Sequence, residues 1–355
     1  MKINVNILIF EKNINMSKPE SRMKKFSNRI SNKIDEIFIQ EKSLSLSSLN
    51  LINKEEELKI IKQLISFIDL TTLEGTDTKE KVKELCKKAK NPLSYFQGFD
   101  SPQSNINDSS NKKPITDIPS FSKNNNNFLH CAAVCVYPCF INIVKKSLKG
   151  SNVKTASVTT AFPSGQYPME LKLKDVKYCV KSGADEIDMV ISRGRFLSGN
   201  FNYVYNEVNK VKKICTSDLS VGKSNKKRKK VTLKVILETG ELGMLENIRK
   251  ASFIAMSAGA DFIKTSTGKI QPAATLPATL VMAEAIREFY NETGIKKGLK
   301  PAGGIKTTKQ AIEYYMLIKN VLGDEWLIPE LFRIGASSLL DNLVQELVVR
   351  GSMSA

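Results

Sequence analysis

Two lysines stand where a short apolar run meets Gly or Thr/Ser residues. They are Lys264 in Ala260-Asp261-Phe262-Ile263-Lys264-Thr265-Ser266-Thr267-Gly268-Lys269 and Lys300 in Lys300-Pro301-Ala302-Gly303-Gly304-Ile305. An amine held in an apolar strand is costly to keep charged, so it becomes available as a nucleophile toward carbonyl carbons. Brought to about 5 Å at an effective dielectric of about 20, the two would repel by about 3 kcal/mol, enough to take one pKa from about 10.4 toward about 8. The chemistry this enables is Schiff-base formation with an aldehyde or ketone. Taken alone, Lys264 also reads as a strand-end lysine reaching solvent, and Lys300 as a structural charge paired with an acid.

That acid is Asp188 in Ala184-Asp185-Glu186-Ile187-Asp188-Met189-Val190-Ile191. Strand alternation puts Asp188 and Val190 on one side, Ile187 and Met189 on the other. Asp188 is either a structural partner for a lysine or a proton carrier beside the reacting carbon, and the two roles are compatible. A separate set of residues suits an anion. Gly303 and Gly304 follow one apolar run, Gly335-Ala336-Ser337-Ser338 opens the last helical segment, and Thr267-Gly268-Lys269 adds a hydroxyl, an amide and a cation. Glycines let amides approach a phosphate, and a helix N-terminus adds unsatisfied N–H groups. Each segment taken singly is also an ordinary turn glycine with a helix cap.

The elements that must position these groups alternate apolar runs with helical-period segments. Strands are expected at residues 64–70, 131–137, 156–162, 186–191, 232–238, 262–266, 299–302 and 331–335. Helices are expected at 78–90, 170–182, 203–215, 245–258, 277–293, 307–322 and 337–349, several ending at Gly183, Gly259 or Gly294. Repeated βα units imply a parallel sheet, and eight strands favour closure into a (β/α)8 TIM barrel, which carries its chemistry at strand C-terminal ends. The barrel domain is expected at residues 56–350. Residues 1–55, rich in Lys, Asn and Ser, read as an appended, partly disordered extension, and residues of about 91–127 and 216–230 as surface insertions. Without these, about 250 residues remain, the usual size of such a barrel.

Composition narrows the function classes. The 355 residues are 41% hydrophobic, and no apolar run approaches a membrane span. Asn4 and Asn6 interrupt the apolar start, against a secretory leader. Six cysteines without disulfide-like or CxxC spacing fit a reducing, cytoplasmic compartment. The formal charge of +18 is uneven, since residues 216–234 hold seven basic residues, from Lys223 to Lys234, against Asp218. That run reads as a solvated loop, with too little aromatic interleaving for a nucleic-acid platform. His130 is the single histidine, which argues against a His-based metal cluster or triad. Cys131, Cys135 and Cys139 fall in strand and turn rather than on one helix face. No P-loop or GxGxxG fingerprint supports a nucleotide cofactor.

The chain resembles the 2-deoxyribose-5-phosphate aldolases, class I (Schiff-base) aldolases on a (β/α)8 barrel. The likeness runs from about Ile68 to Asn342 and rests on Asp69-Leu70-Thr71-Thr72-Leu73, Cys135-Val136-Tyr137-Pro138, Glu186-Ile187-Asp188, Glu238-Thr239-Gly240-Glu241-Leu242, the segments around Lys264 and Lys300, and Phe332-Arg333-Ile334-Gly335-Ala336-Ser337-Ser338. The resemblance implies reversible cleavage of 2-deoxy-D-ribose 5-phosphate to D-glyceraldehyde 3-phosphate and acetaldehyde, with no metal or cofactor and with assembly into a homo-dimer or tetramer. By that resemblance Lys264 forms the imine, Lys300 lowers its pKa and Asp188 relays protons through water. Asp69, Thr71, Leu73, Cys135 and Thr267 would contact substrate. Gly268, Lys269, Gly303, Gly304, Lys306, Gly335, Ser337 and Ser338 would hold the phosphate, with Lys306 in place of an arginine. Bacterial relatives often end in a tyrosine that assists proton transfer, whereas no tyrosine follows Tyr315 here. The competing readings are another imine-forming barrel, such as a transaldolase or keto-acid aldolase, and a nucleic-acid-binding protein on an inactive barrel. No nucleic acid or membrane partner is expected.

Overall fold

The computed structural model describes residues 33–48, 53–99, 129–217 and 230–352. Eight parallel strands are each followed by helical structure: β1 Ile68–Thr71, β2 Ala133–Val136, β3 Lys154–Thr159, β4 Glu186–Val190, β5 Thr232–Ile236, β6 Phe262–Lys264, β7 Gly298–Lys300 and β8 Ile334–Ala336. Neighbours run in chain order from β1 to β7, with β8 on the far side of β1. The seam between β7 and β8 is joined where Leu299 N–H donates to Leu331 O (2.9 Å), Arg333 N–H to Leu299 O (3.1 Å) and Gly335 N–H to Pro301 O (2.9 Å). The result is a (β/α)8 barrel. The first expected strand began too early, because residues 64–66 belong to the preceding helix, Lys54–Ser66.

The helices are α1 Glu36–Leu46, α2 Lys54–Ser66, α3 Lys79–Lys90, α4 Pro92–Phe99, α5 Ile141–Ser147, α6 Met169–Lys181, α7 Arg193–Leu197, α8 Phe201–Thr216, α9 Thr239–Leu242, α10 Leu245–Ser257, α11 Leu276–Thr293, α12 Thr308–Leu322 and α13 Leu339–Ser352. Their apolar faces close on the outward strand residues, such as Ile187, Met189, Leu233 and Ile263, in one continuous core. Fully burying such a side chain contributes about 1.5–3 kcal/mol.

One local sequence, used twice, sets the height of the chemistry. Helix α6 ends at Gly183 (φ 99°) and α10 at Gly259 (φ 109°), each followed by Ala-Asp and then a strand. The Asp carboxylate ties the turn to the previous strand: Asp185 accepts from Thr155 N–H (3.0 Å) and Lys145 (3.0 Å), Asp261 from Leu233 N–H (2.8 Å) and Lys212 (2.7 Å). Three residues further on stand Asp188 and Lys264, so two copies of one turn deliver an acid and an amine into the barrel.

Helix α1 lies within the stretch read as an appended, partly disordered extension. It is N-capped by Asp35, fastened by Lys42 to Glu284 (2.6 Å), and its Leu46 carbonyl accepts from Asn320 Nδ2 (2.7 Å). Helix α4 occupies the start of the first expected insertion. Residues 100–128 and most of the basic segment, 218–229, lie outside the described residues.

Candidate active site

Strand register brings the two lysines together. Lys264 and Lys300 are direct partners across β6 and β7, and Asp188 pairs with Lys234 across β4 and β5. In-register residues of parallel strands share a face, so all four side chains enter the barrel. Lys264 Nζ donates to Asp188 Oδ2 at 2.8 Å and Lys300 Nζ to the same oxygen at 2.7 Å. The two nitrogens are therefore no farther apart than those two bonds laid end to end. The proximity expected from sequence holds, with a shared carboxylate oxygen between the amines.

Beneath them lies a second tier that sequence reasoning missed. Lys234, counted among the cations of a solvated loop, is fully buried; it contacts Asp69 (2.8 Å), Asp188 (3.2 Å) and Glu186. Arg333 bridges Asp69 (2.6 Å) and Glu186 (2.8 Å), its guanidinium 5.7 Å from the Phe262 ring centre. Asp69, expected to border the substrate, is fully buried below the lysines and pairs with Lys300 at 2.5 Å. The alternation that placed Asp188 inward places Glu186 inward as well. Lys234 carries the same signal as Lys264, a charge within the apolar run Val231-Thr232-Leu233-Lys234-Val235-Ile236.

Charge counting separates Lys264 from the other three cations. Three carboxylates (Asp69, Glu186, Asp188) face four cations (Lys234, Lys264, Lys300, Arg333), so the cluster holds one positive charge too many. Lys234 touches all three acids, Lys300 and Arg333 two each, Lys264 Asp188 alone. Burial pulls Lys264 below the ordinary lysine range; Asp188 opposes this and Lys300 assists it. Burial acts the same way on Lys300 and Lys234, but their carboxylates overcome it and raise both. Lys300 is thus one contributor to the lowered Lys264 pKa, and desolvation is the larger one. Asp188, despite burial, is held well below the carboxylate range by Lys234, Lys264 and Lys300, so it stays ionised.

Above this cluster opens a cavity of about 310 Å³, within the size range of small-ligand sites. Of the cluster's four cations, Lys264 lines it and the others do not. Thr71, Leu73 and Thr267 form its wall, together with Gly268, Lys269, Gly303, Gly304, Lys306, Gly335, Ser337 and Ser338, so all the residues expected to hold a phosphate converge there. Cys135 is fully buried in an apolar packet inside the barrel with Leu73, Ala133, Ala156 and Val158, and burial pushes its thiol up to about 11. It packs beneath the wall instead of forming it. His130, half-buried, makes a ring-nitrogen hydrogen bond to the Cys131 carbonyl (2.8 Å) and does not line the cavity.

The loops are held in functional shape by identifiable contacts. Gly303 (φ 83°) has no room for a side chain: a Cβ there would lie 2.8 Å from Ala273 Cβ and 2.9 Å from Gly268 Cα. The loops after β6 and β7 thereby touch backbone to backbone. Gly304 (φ 82°) faces open space, leaving its backbone approachable from the cavity. Glu238 takes the left-handed conformation (φ 59°) at the end of β5, unusual for this residue type. Its buried carboxylate accepts from Thr267 N–H (3.1 Å), from the Thr267 hydroxyl and from Arg193 (3.1 Å), and burial raises its pKa. Thr267 Oγ1 in turn accepts from Lys269 N–H at 3.1 Å. Glu238 stood in a quoted motif with no role attached; an acid amid Leu237 and Thr239 at a strand end was the available signal.

Comparison with known proteins agrees with this geometry. Residues 63–341 match the model of the family described as DeoC/LacD family aldolase. The deoxyribose-phosphate aldolase of Mus musculus is 42% identical over 298 residues, covering 83% of each chain. That of Homo sapiens is 41% identical over 298 residues, again 83% of each. The tetrameric deoxyribose phosphate aldolase of Aeropyrum pernix superposes with a TM-score of 0.53 over 83% of this chain and 98% of its own, at 22% identity, a likeness of fold.

Proposed function

The chain belongs to the DeoC/LacD family of aldolases, and from that premise we propose that it cleaves 2-deoxy-D-ribose 5-phosphate reversibly to D-glyceraldehyde 3-phosphate and acetaldehyde, through an imine on Lys264. The observation that carries this reading is the register pair Lys264 and Lys300 on one Asp188 oxygen, with Lys264 alone of the cluster's cations exposed to the cavity.

In this reading the free Lys264 amine attacks the C1 aldehyde of the open-chain sugar, and the carbinolamine loses water to give a protonated imine. Removal of the C3 hydroxyl proton lets the C2–C3 bond break. Its electron pair moves into the imine, leaving an enamine on Lys264 and releasing glyceraldehyde 3-phosphate. Protonation at C2 and hydrolysis then free acetaldehyde and the amine. Asp188, held ionised, is a poor store for a proton. Its part is to join the two amines, so that a proton on Lys300 can reach the reacting centre along one short path. Asp69 supports this from below by fixing Lys300. The phosphate is assigned to Gly268, Lys269, Gly303, Gly304, Lys306, Gly335, Ser337 and Ser338, near the start of α13 at Leu339.

Borohydride reduction with deoxyribose 5-phosphate present is the test. The expected result is a stable mass adduct mapped to Lys264 together with aldehyde release in turnover; an adduct mapped to another lysine, or normal turnover by Lys264→Ala, would overturn the assignment.

A further inference from the structure

The cavity is built for an anion, with Lys264, Lys269 and Lys306 on its wall, yet among the described residues lining it one side chain, Glu74, is acidic. Glu74 follows β1 and Lys269 follows β6, 195 residues apart in sequence, and Lys269 Nζ lies 2.8 Å from Glu74 Oε1. The carboxylate is not presented by chance. Asp77 accepts from Glu74 N–H (3.0 Å), from the Thr72 hydroxyl (2.7 Å) and from Lys81 (2.5 Å), while Asp77 N–H donates to Glu74 O (3.1 Å). This closed turn projects Glu74 across the mouth. The ammonium end is anchored in the same way, by Lys269 N–H donating to Thr267 Oγ1. The Lys269 and Glu74 side chains keep 29% and 61% of their exposure, so the bond is open to exchange.

We propose that Glu74 is a specificity-determining residue that occupies Lys269 in place of the substrate's phosphate, so that a phosphorylated ligand gains Lys269 only by displacing it. This rests on the phosphosugar reading above and deepens it. An anion entering the cradle exchanges one partner of Lys269 for another, and the net gain is smaller than that from a free ammonium. An unphosphorylated aldehyde reaches Lys264 without disturbing the pair. Glu74 therefore lowers the preference for phosphorylated substrates and speeds their release by competing for Lys269.

The test measures inorganic phosphate binding to the full chain by calorimetry for wild type, Glu74→Gln, Lys269→Gln and the double variant, with KM and kcat for 2-deoxyribose 5-phosphate and for 2-deoxyribose alongside. Glu74→Gln is expected to tighten phosphate binding about two- to fivefold, the range for losing one exposed ion pair. KM for the phosphorylated sugar should fall by the same factor, KM for the unphosphorylated sugar should stay, and the effect should vanish in the Lys269→Gln background. Phosphate binding that is unchanged or weakened by Glu74→Gln would overturn the proposal. So would equal tightening with Lys269 already removed, which would mark a general charge effect. Tighter phosphate binding without cleavage of deoxyribose phosphate by the wild type would sink the substrate reading and leave the role of Glu74 standing.

Discussion

Lys234 and Lys264 stand on adjacent strands, point into the same barrel and are almost equally hidden from water, yet they do opposite things. Lys234, in the lower tier, meets three carboxylates and remains a cation, bolting β1, β4 and β5 together. Lys264, in the upper tier, meets one carboxylate and a second ammonium, borders the cavity, and is the cation of the cluster whose pKa is lowered. Burial alone does not make a lysine reactive. The number of acids within reach decides, because a buried ammonium short of partners has no water to replace them.

The sharpest way to break this contrast is to remove each amine in turn. Lys264→Ala should abolish turnover, by about 10⁴-fold or more, with the fold intact, as measured by steady-state kinetics beside circular dichroism. Lys234→Met should do the reverse and damage the fold first. It leaves Asp69 and Glu186 short of a cation, at a cost of about 3–5 kcal/mol in denaturant unfolding, so equal stability in that variant would undo the two-tier account.

Lys300→Leu tests the link between the tiers. With the neighbouring ammonium gone and Asp188 freed, the Lys264 pKa should rise; activity near neutrality should fall by about 100-fold and the pH profile should move to higher pH, with part of the loss remaining there because the Lys300 proton is gone as well. If the free Lys264 amine is the nucleophile, as proposed, wild-type activity should climb as pH rises through its lowered pKa. A smaller effect concerns Lys297, buried at the start of β7, donating to Ala260 O (2.6 Å) and lowered by burial to about 8. Its folded pKa lies below its unfolded one, so folding releases a proton, and stability should rise between about pH 8 and about pH 10.4. Lys297→Met should flatten that slope. Glu238→Gln should be mildest, about 1 kcal/mol read as a several-fold rise in KM, because it keeps a hydrogen bond to Thr267 and loses one of the two carboxylate charges on Arg193, Glu241 keeping the other.

How much of this was legible depended on how far each signal reached along the chain. Gly183 and Gly259 marked their turns, and alternation put Asp188 inward, because both are local properties of the backbone. Helix α1 escaped notice since its apolar residues do not form a stripe: Ile37, Phe38 and Leu44 are exposed while Ile39 and Ser43 are buried. The Glu74–Lys269 bond, the placement of Asp69 under the amines and the packing of Cys135 join segments distant in sequence, and spacing carried no trace of them.

The amino-acid order by itself determined the eight βα units, the inward-facing strand positions and the glycine-rich loops, since each follows from side-chain period and backbone freedom over a few residues. Which cations share which acids was decided when the sheet closed. Closure set the stagger between strands, and that stagger put Lys234 among three carboxylates and left Lys264 with one.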